Sequence, residues 1–332
     1  MAERNTGSAD IDKMTASLDS KRGIELGELS VSTLDGVVYS MKQQLSEGGA
    51  NAPFLEAMIS AVKGGELRFP VIPRTVMRVQ ELMRDREVSV EDLSFVVSLD
   101  PALATKVVGV ANSAFYSGAD SIRSVGNAIM RLGTREATNV AIAVAMRSSL
   151  FKVPGFESDA RSIWHHSLLV ARINEAILRD RVRFHDMAFL MGLVLEVGRI
   201  VVLAFGAQLA NRGKGSKVFP TRGIKAAADS LHPVLGALIL QSWNFDDHFV
   251  HTIRHHHDAE LDEKGDERAE LIQACQLSDA IALRIAEGWA AGAIVLDPPI
   301  AQALEDFGIP ELIAPSIVAT AQEDFGGLTS LV

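Results

Sequence analysis

The run MAFLMGLVLEVGRIVVLAFGAQLA, from Met187 to Ala210, is the longest apolar stretch in this 332-residue chain, and its reading decides the fold. It is long enough to cross a bilayer as a helix. Glu196 and Arg199 stand near its centre, however, and such residues cost about 3 kcal/mol each among lipid tails. The run therefore reads as a buried core helix, with no membrane span. Composition agrees: 48% hydrophobic residues supply a sizeable core, and 22% charged residues with 6% aromatics favour packed helices over β-sandwiches. The net charge of −10 disfavours nucleic acid and anionic membranes as partners. A single cysteine, Cys275, excludes an internal disulfide framework and fits a reducing cytoplasm. It lies in an apolar-periodic stretch and reads as a buried small side chain. Met1 to Asp19 has no secretory-signal architecture.

Outward from the run, the punctuation predicts short, well-capped helices. Residues 1–30 read as a flexible polar tail, and 31–65 as a helical extension with helices near 33–46 and 53–62. Pro70 and Pro73 introduce a helix carrying Val76, Val79, Leu82 and Met83 on one face. Ser89 with Asp92 resembles a capping box, and Asp100-Pro101 is a strong helix start. Thr134 is expected to cap a long apolar helix reaching about Leu150, and Pro154-Gly155 separates two helical lobes. Further helices are predicted near 157–181, 186–206, 233–242, 246–258 and 267–288, with a polar loop over 211–220. No alternating stretch argues for a sheet. The expected fold class is all-α.

Several motifs in order carry a resemblance. Phe69-Pro70-Val71-Ile72-Pro73, Ser98-Leu99-Asp100-Pro101-Ala102-Leu103 and Ala111-Asn112-Ser113-Ala114-Phe115-Tyr116 come first, followed by Ser121-Ile122-Arg123-Ser124. Trp164-His165-His166-Ser167-Leu168, Gly192 to Ile200, His232-Pro233 to Ala237, and Ile253-Arg254-His255-His256-His257 continue the order. Together they resemble the HDOD family, the HD-related output domains of bacterial signalling proteins, over about residues 66–285. The resemblance implies two helical lobes, at 66–153 and 156–285, the second similar to HD-type phosphohydrolases. Residues 286–332 would form a C-terminal helical extension.

All nine histidines lie between His165 and His257, which suggests a metal centre. The resemblance implies a first ligand at His166, a His-Asp dipeptide at Leu195-Glu196 and a late aspartate at Asp279. Leucine cannot ligate, and the longer glutamate displaces its oxygens by more than the ~0.2 Å that ligation tolerates. His166, Glu196 and Asp279 are therefore expected to be vestigial, with no catalytic residue and no cofactor; His166 is expected to face inward, hydrogen-bonded to Glu196 or to backbone. His255-His256-His257, read as consecutive helical residues 100° apart, cannot converge on one ion. His251 and His255 share a helix face. Asn112 is expected to cap a helix, and Asn112, Ser113, Tyr116 and Arg123, with His251, His255 and His256, form a candidate recognition surface. The cationic segment with Arg212, Lys214, Lys217, Arg222 and Lys225 lacks a P-loop ending and reads as a solvated loop. The expected function is a non-catalytic signalling module that binds a protein partner or a small signal molecule. The alternatives are a divergent metal-dependent phosphohydrolase and, against the charge balance, a nucleic-acid binder.

Overall fold

The computed structural model describes residues 24–25, 31–47, 51–64, 66, 68–84, 88–116, 121–181, 184–210, 219–258, 266–312 and 314–329. The expected tail at 1–30 lies outside them apart from Ile24–Glu25, as does the basic segment from Arg212 to Lys217. Two helices come first, α1 (Val31–Glu47) and α2 (Ala52–Lys63). The first lobe holds α3 (Arg74–Arg84), α4 (Val90–Ser98), α5 (Pro101–Ala111), α6 (Val125–Leu132) and α7 (Thr134–Ser149). The second holds α8 (Glu157–Ile177), α9 (Ala188–Val194), α10 (Val197–Ala210), α11 (Thr221–Ser242), α12 (Asp247–His255) and α13 (Glu267–Ala286). The chain continues through α14 (Ala291–Ile294), α15 (Pro298–Asp306) and α16 (Ala314–Thr329). The fold is all-α. The sequence argued for no strand, yet β1 (Ile24–Glu25) pairs antiparallel with β2 (Arg68–Phe69), too short a ladder to leave an alternating pattern.

Local chemistry sets the helix starts. Asp100 is extended, and its Oδ1 accepts from the backbone N–H groups of Ala102 at 2.9 Å and Leu103 at 3.2 Å, opening α5. Ser89 Oγ accepts from the Asp92 N–H at 3.0 Å and donates to Asp92 Oδ2 at 2.6 Å. Thr134, expected as a cap, is instead the first helical residue; the cap position falls to Gly133, whose φ of 80° joins α6 to α7. Asp100→Ala is expected to lower the unfolding free energy by about 1 kcal/mol. Urea melts would measure this, and an unchanged midpoint would mean that water replaces the cap.

The apolar cluster is continuous through both lobes, from Val76 and Leu93 to Leu193 and Ile281. The decisive run is two helices, not the single one expected over 186–206. α9 stops at Val194 and α10 starts at Val197, with Leu195 and Glu196 between them. The stretch Ala188–Ala210 is long and apolar enough to cross a membrane, as is α11, but most of each is buried inside the protein. α9 lies hard against α8: a Cβ on Gly192 would come within 2.6 Å of Ala171 Cα.

α11 corrects a second expectation. It begins at Thr221 and carries Pro233 in its interior, whereas the proline was read as the start of a helix over 233–242. A proline there removes one backbone donor, so the Asp229 carbonyl loses its helical partner. His232 Nδ1 lies 2.9 Å from that oxygen and replaces the missing donor. Of the basic segment, Arg222 and Lys225 thus belong to α11, and Lys225 pairs with Asp159 at 2.5 Å. The extension helices α1 and α2 pack on α11, where Gln44 Nε2 donates to the Ser230 carbonyl at 2.9 Å and Ser230 Oγ donates to Gln44 Oε1 at 2.6 Å. At the other end α16 packs on α8.

Candidate functional site

The interruption between α9 and α10 places a carboxylate in the core. Glu196 is 2% exposed, and three imidazoles approach it. His232 comes from α11 and is fully buried. His256 and His257 come from the end of α12, which stops at His255. The three histidines of the triplet do not all converge, as expected, since His255 turns to Asp258; but the helical spacing ends at His255, and His256 and His257 come together. His256 Nδ1 turns to the Ile253 carbonyl at 2.7 Å. His232 Nε2 lies 3.2 Å from His256 Nε2 and 3.0 Å from His257 Nε2. Glu196 Oε1 stands 3.6 Å from His232 Nε2 and 3.8 Å from His256 Nε2.

Arg199, one turn along α10, closes the other side. Its guanidinium donates to Glu196 Oε2 and also to Asp229, the residue whose carbonyl His232 caps. Burial by itself would raise the Glu196 carboxyl, but His256, His232 and Arg199 outweigh it and hold the group well below the usual carboxylate range. Burial pushes the His232 imidazole down to about 4, so it is neutral at physiological pH. His257 is lowered too, by burial and then by His256.

His166 and Asp279 lie alongside. The sequence placed His166 against Glu196 or backbone; its Nε2 instead meets Asp279 Oδ1 at 2.6 Å. The donor atoms of His166, Glu196 and Asp279 nevertheless lie within 4.8 Å of one another. Leu195 is fully buried. Cys275 is buried as expected, and burial pushes its thiol well above the ordinary range, so it is no nucleophile.

The residues expected to form one recognition surface fall in separate places. Asn112 caps α5, and its side chain clasps Ile122, accepting from the N–H and donating to the carbonyl, both at 2.8 Å. The Ser113 hydroxyl is buried and has no hydrogen-bond partner among the described residues. Tyr116 donates to Glu136 Oε1 at 2.6 Å. The arginine of that network is Arg172, not Arg123, which is exposed. His251 and His255 do share a face, with ring centroids 4.5 Å apart, and His255 Nδ1 meets Asp258 at 2.6 Å. His256 leaves that surface altogether: it is 1% exposed. His232 and Arg172 were given no role from the sequence, and His257 was considered only as part of the triplet. The available signal was a polar residue at an apolar helix position, His232 between Leu231 and Leu235, and Arg172 between Ala171 and Ile173.

The sequence matches the HDOD domain family over residues 69–259. A protein from Shewanella amazonensis SB2B, provisionally called a metal-dependent phosphohydrolase, has a similar crystal structure, with a TM-score of 0.59 at 19% identity. That likeness covers 85% of this chain and 98% of the other. A protein from Marinobacter aquaeolei VT8, provisionally called a signal transduction protein, gives a TM-score of 0.54 at 19% identity over 79% of this chain and 58% of its own. An uncharacterized protein of Treponema pallidum is 22% identical over 205 residues, 57% of this chain and 37% of that protein. These structural likenesses establish a shared helical fold, the second lobe being of the HD-like kind.

Proposed function

This chain belongs to the HDOD family, and from that premise we propose that it is a non-catalytic module of bacterial signalling, acting in the cytoplasm through a protein partner or a small signal molecule. Leu195 carries the reading. A fully buried hydrocarbon occupies the position where the resemblance places a ligand imidazole. Metal-activated hydrolysis needs a metal with an open coordination position for water. At this end of the site one ligand is gone, and His166 and Asp279 are bonded to each other. The name given to the Marinobacter structure fits the signalling reading, and the charge balance speaks against a nucleic-acid partner.

One observation favours a second reading, a divergent phosphohydrolase: the donor atoms of His166, Glu196 and Asp279 remain within 4.8 Å of one another. A turnover assay separates the two. Bis(p-nitrophenyl) phosphate and p-nitrophenyl phosphate would be incubated with the full chain and Mn2+, Fe2+ or Zn2+. The expected rate equals that of the His166→Ala/Asp279→Ala double variant. Metal-dependent turnover that disappears in that variant would overturn the non-catalytic reading.

A further inference from the structure

We infer that the cleft where the two lobes meet the C-terminal helix binds one compact oxyanion, a phosphate group or a short dicarboxylate. The inference deepens the signalling reading and rests on it for its meaning, since it names the chemical class of the small signal. The cleft has a volume of about 180 Å3 and shares no residue with the Glu196 cluster. Arg135 and Glu136, in the first turn of α7, form one wall. Arg172 and Glu175 on α8, with Arg179 in the turn after it, form the second. Thr320 on α16 belongs to the third.

Three guanidinium groups and two carboxylates therefore line the cleft, and the carboxylates are already occupied. Glu136 accepts from Arg172 Nη1 and Nη2 and from the Tyr116 hydroxyl. Glu175 accepts from Arg172 Nη1, from Asn139 Nδ2 at 3.0 Å and from Arg135 Nε at 3.2 Å. What remains unsatisfied is donors. Arg172 is 4% exposed, and its Nε–H is buried with no hydrogen-bond partner among the described residues. A charged donor left unpaired in the interior is costly, and native proteins seldom keep one. Arg179 is exposed and makes no ion pair with the described residues. The N-cap of α7 is Gly133, which has no side chain to accept from the first-turn N–H groups. The positive end of that helix dipole adds to the guanidinium charge.

An oxyanion satisfies such donors together, because each of its oxygens accepts more than one N–H and the bonds are charge-assisted. A dry cavity of about 150 Å3 holds benzene, so this one holds a ligand of roughly five to eight non-hydrogen atoms, the range from phosphate to succinate. The chain as a whole carries −10, so its general field repels anions and only this local arrangement would retain one. Bound there, the anion touches the first lobe through α7, the second through α8, and α16, which lies beyond the family match at 69–259. Its binding therefore favours the arrangement that brings all three together.

The test uses the full chain in phosphate-free buffer, titrated with inorganic phosphate, malonate and succinate by calorimetry and thermal melting. Sodium chloride at matched ionic strength and neutral malonamide are the controls. The expected result is one equivalent of phosphate or dicarboxylate bound and a raised melting temperature, with neither effect from the controls. Whichever anion binds more tightly names the class. Arg172→Ala can unfold the lobe junction, so Arg179→Ala, at an exposed position, is the deciding variant. It should bind about tenfold or more weakly, having lost a charged donor, while Arg123→Ala, also exposed, binds as the wild type does. Thr320→Val should weaken binding by a smaller factor, since it deletes one neutral hydroxyl. No saturable binding of any of the three anions would overturn the inference. So would binding that Arg179→Ala leaves unchanged. Neither outcome touches the non-catalytic reading, which turnover decides, so the two fail separately.

Discussion

Gly198→Ala is expected to cost at least about 3 kcal/mol of folding stability, the upper end of core overpacking. A Cβ on Gly198 would lie 2.0 Å from the His232 carbonyl oxygen and 2.7 Å from the Gly236 nitrogen. Both obstacles are backbone, so no rotamer change relieves them. Helices α10 and α11 would have to separate by more than an ångström along a tightly packed interface. The displacement falls on His232 itself, so its contacts with His256 and His257 should loosen together with stability. Gly236→Ala is the comparison. Its Cβ would press on one side-chain methyl, Ile253 Cγ2 at 2.8 Å, with the Gly198 backbone at an ordinary contact distance of 3.5 Å, and one methyl gives way more readily than two backbone groups. Alanine there also recovers about 1 kcal/mol of helix propensity, so the net loss should be well below that of Gly198→Ala. Urea melts of both variants measure the difference. If Gly198→Ala melts within about 1 kcal/mol of the wild type, the close approach of the two helices is wrong.

This contact shows where the sequence was legible and where it was not. Asp100-Pro101 and Ser89 announced their helices because capping is local: the side chain, the donors and the turn lie within three residues. The buried run was legible because two charges excluded lipid, although its break at Leu195-Glu196 left no periodic trace. Pro233 misled because a proline inside a helix looks like one that begins it. The donor that makes it tolerable, His232 Nδ1, is supplied by a side chain and not by the backbone pattern. The site divides in the same way. Motif order led to His166, Glu196 and Asp279. The grouping of Glu196 with His232, His256 and His257 depends on where α12 stops and how α11 crosses α10, which are tertiary facts. Arg172, inside an apolar helix face, was a visible anomaly whose partners lie 36 residues upstream and three downstream.

Arg172→Ala is expected to cost about 3–5 kcal/mol, the range for breaking a buried ion pair from one side. Arg172 is 4% exposed. Its guanidinium forks onto Glu136, Nη1 to Oε2 at 2.8 Å and Nη2 to Oε1 at 2.5 Å, and Nη1 also reaches Glu175 Oε2 at 3.0 Å. Burial opposes its charge, but Glu136 and then Glu175 more than compensate, so the guanidinium stays protonated. The Phe189 ring covers it at 5.0 Å. Removing it takes the forked cation from Glu136, which keeps the Tyr116 hydroxyl, while Glu175 retains Arg135 Nε at 3.2 Å and Asn139 Nδ2 at 3.0 Å. Lysine cannot replace the fork, since an ammonium meets one carboxylate oxygen at a time, so Arg172→Lys should recover only part of the loss. Adding Glu136→Gln to Arg172→Ala should restore more, because it removes a carboxylate left without its fork. The location determines what else changes. Glu136 stands on α7 in the first lobe and takes the Tyr116 hydroxyl from the turn after α5, while Arg172 stands on α8 in the second. The network therefore couples the lobes, and a module that relays a signal through its fold needs such a coupling. The three tryptophans, Trp164, Trp243 and Trp289, follow the first lobe in the chain, but Trp164 packs on Phe151 and Arg147 and Trp243 donates to the Pro70 carbonyl, so their fluorescence reports the second lobe with its contacts to the first, while circular dichroism reports the whole helical fold. In the wild type the two transitions should coincide; in Arg172→Ala the dichroism change should begin at lower denaturant than the fluorescence change. Coincident transitions with a loss under about 1 kcal/mol would mean that the network joins the lobes in space without coupling them in energy.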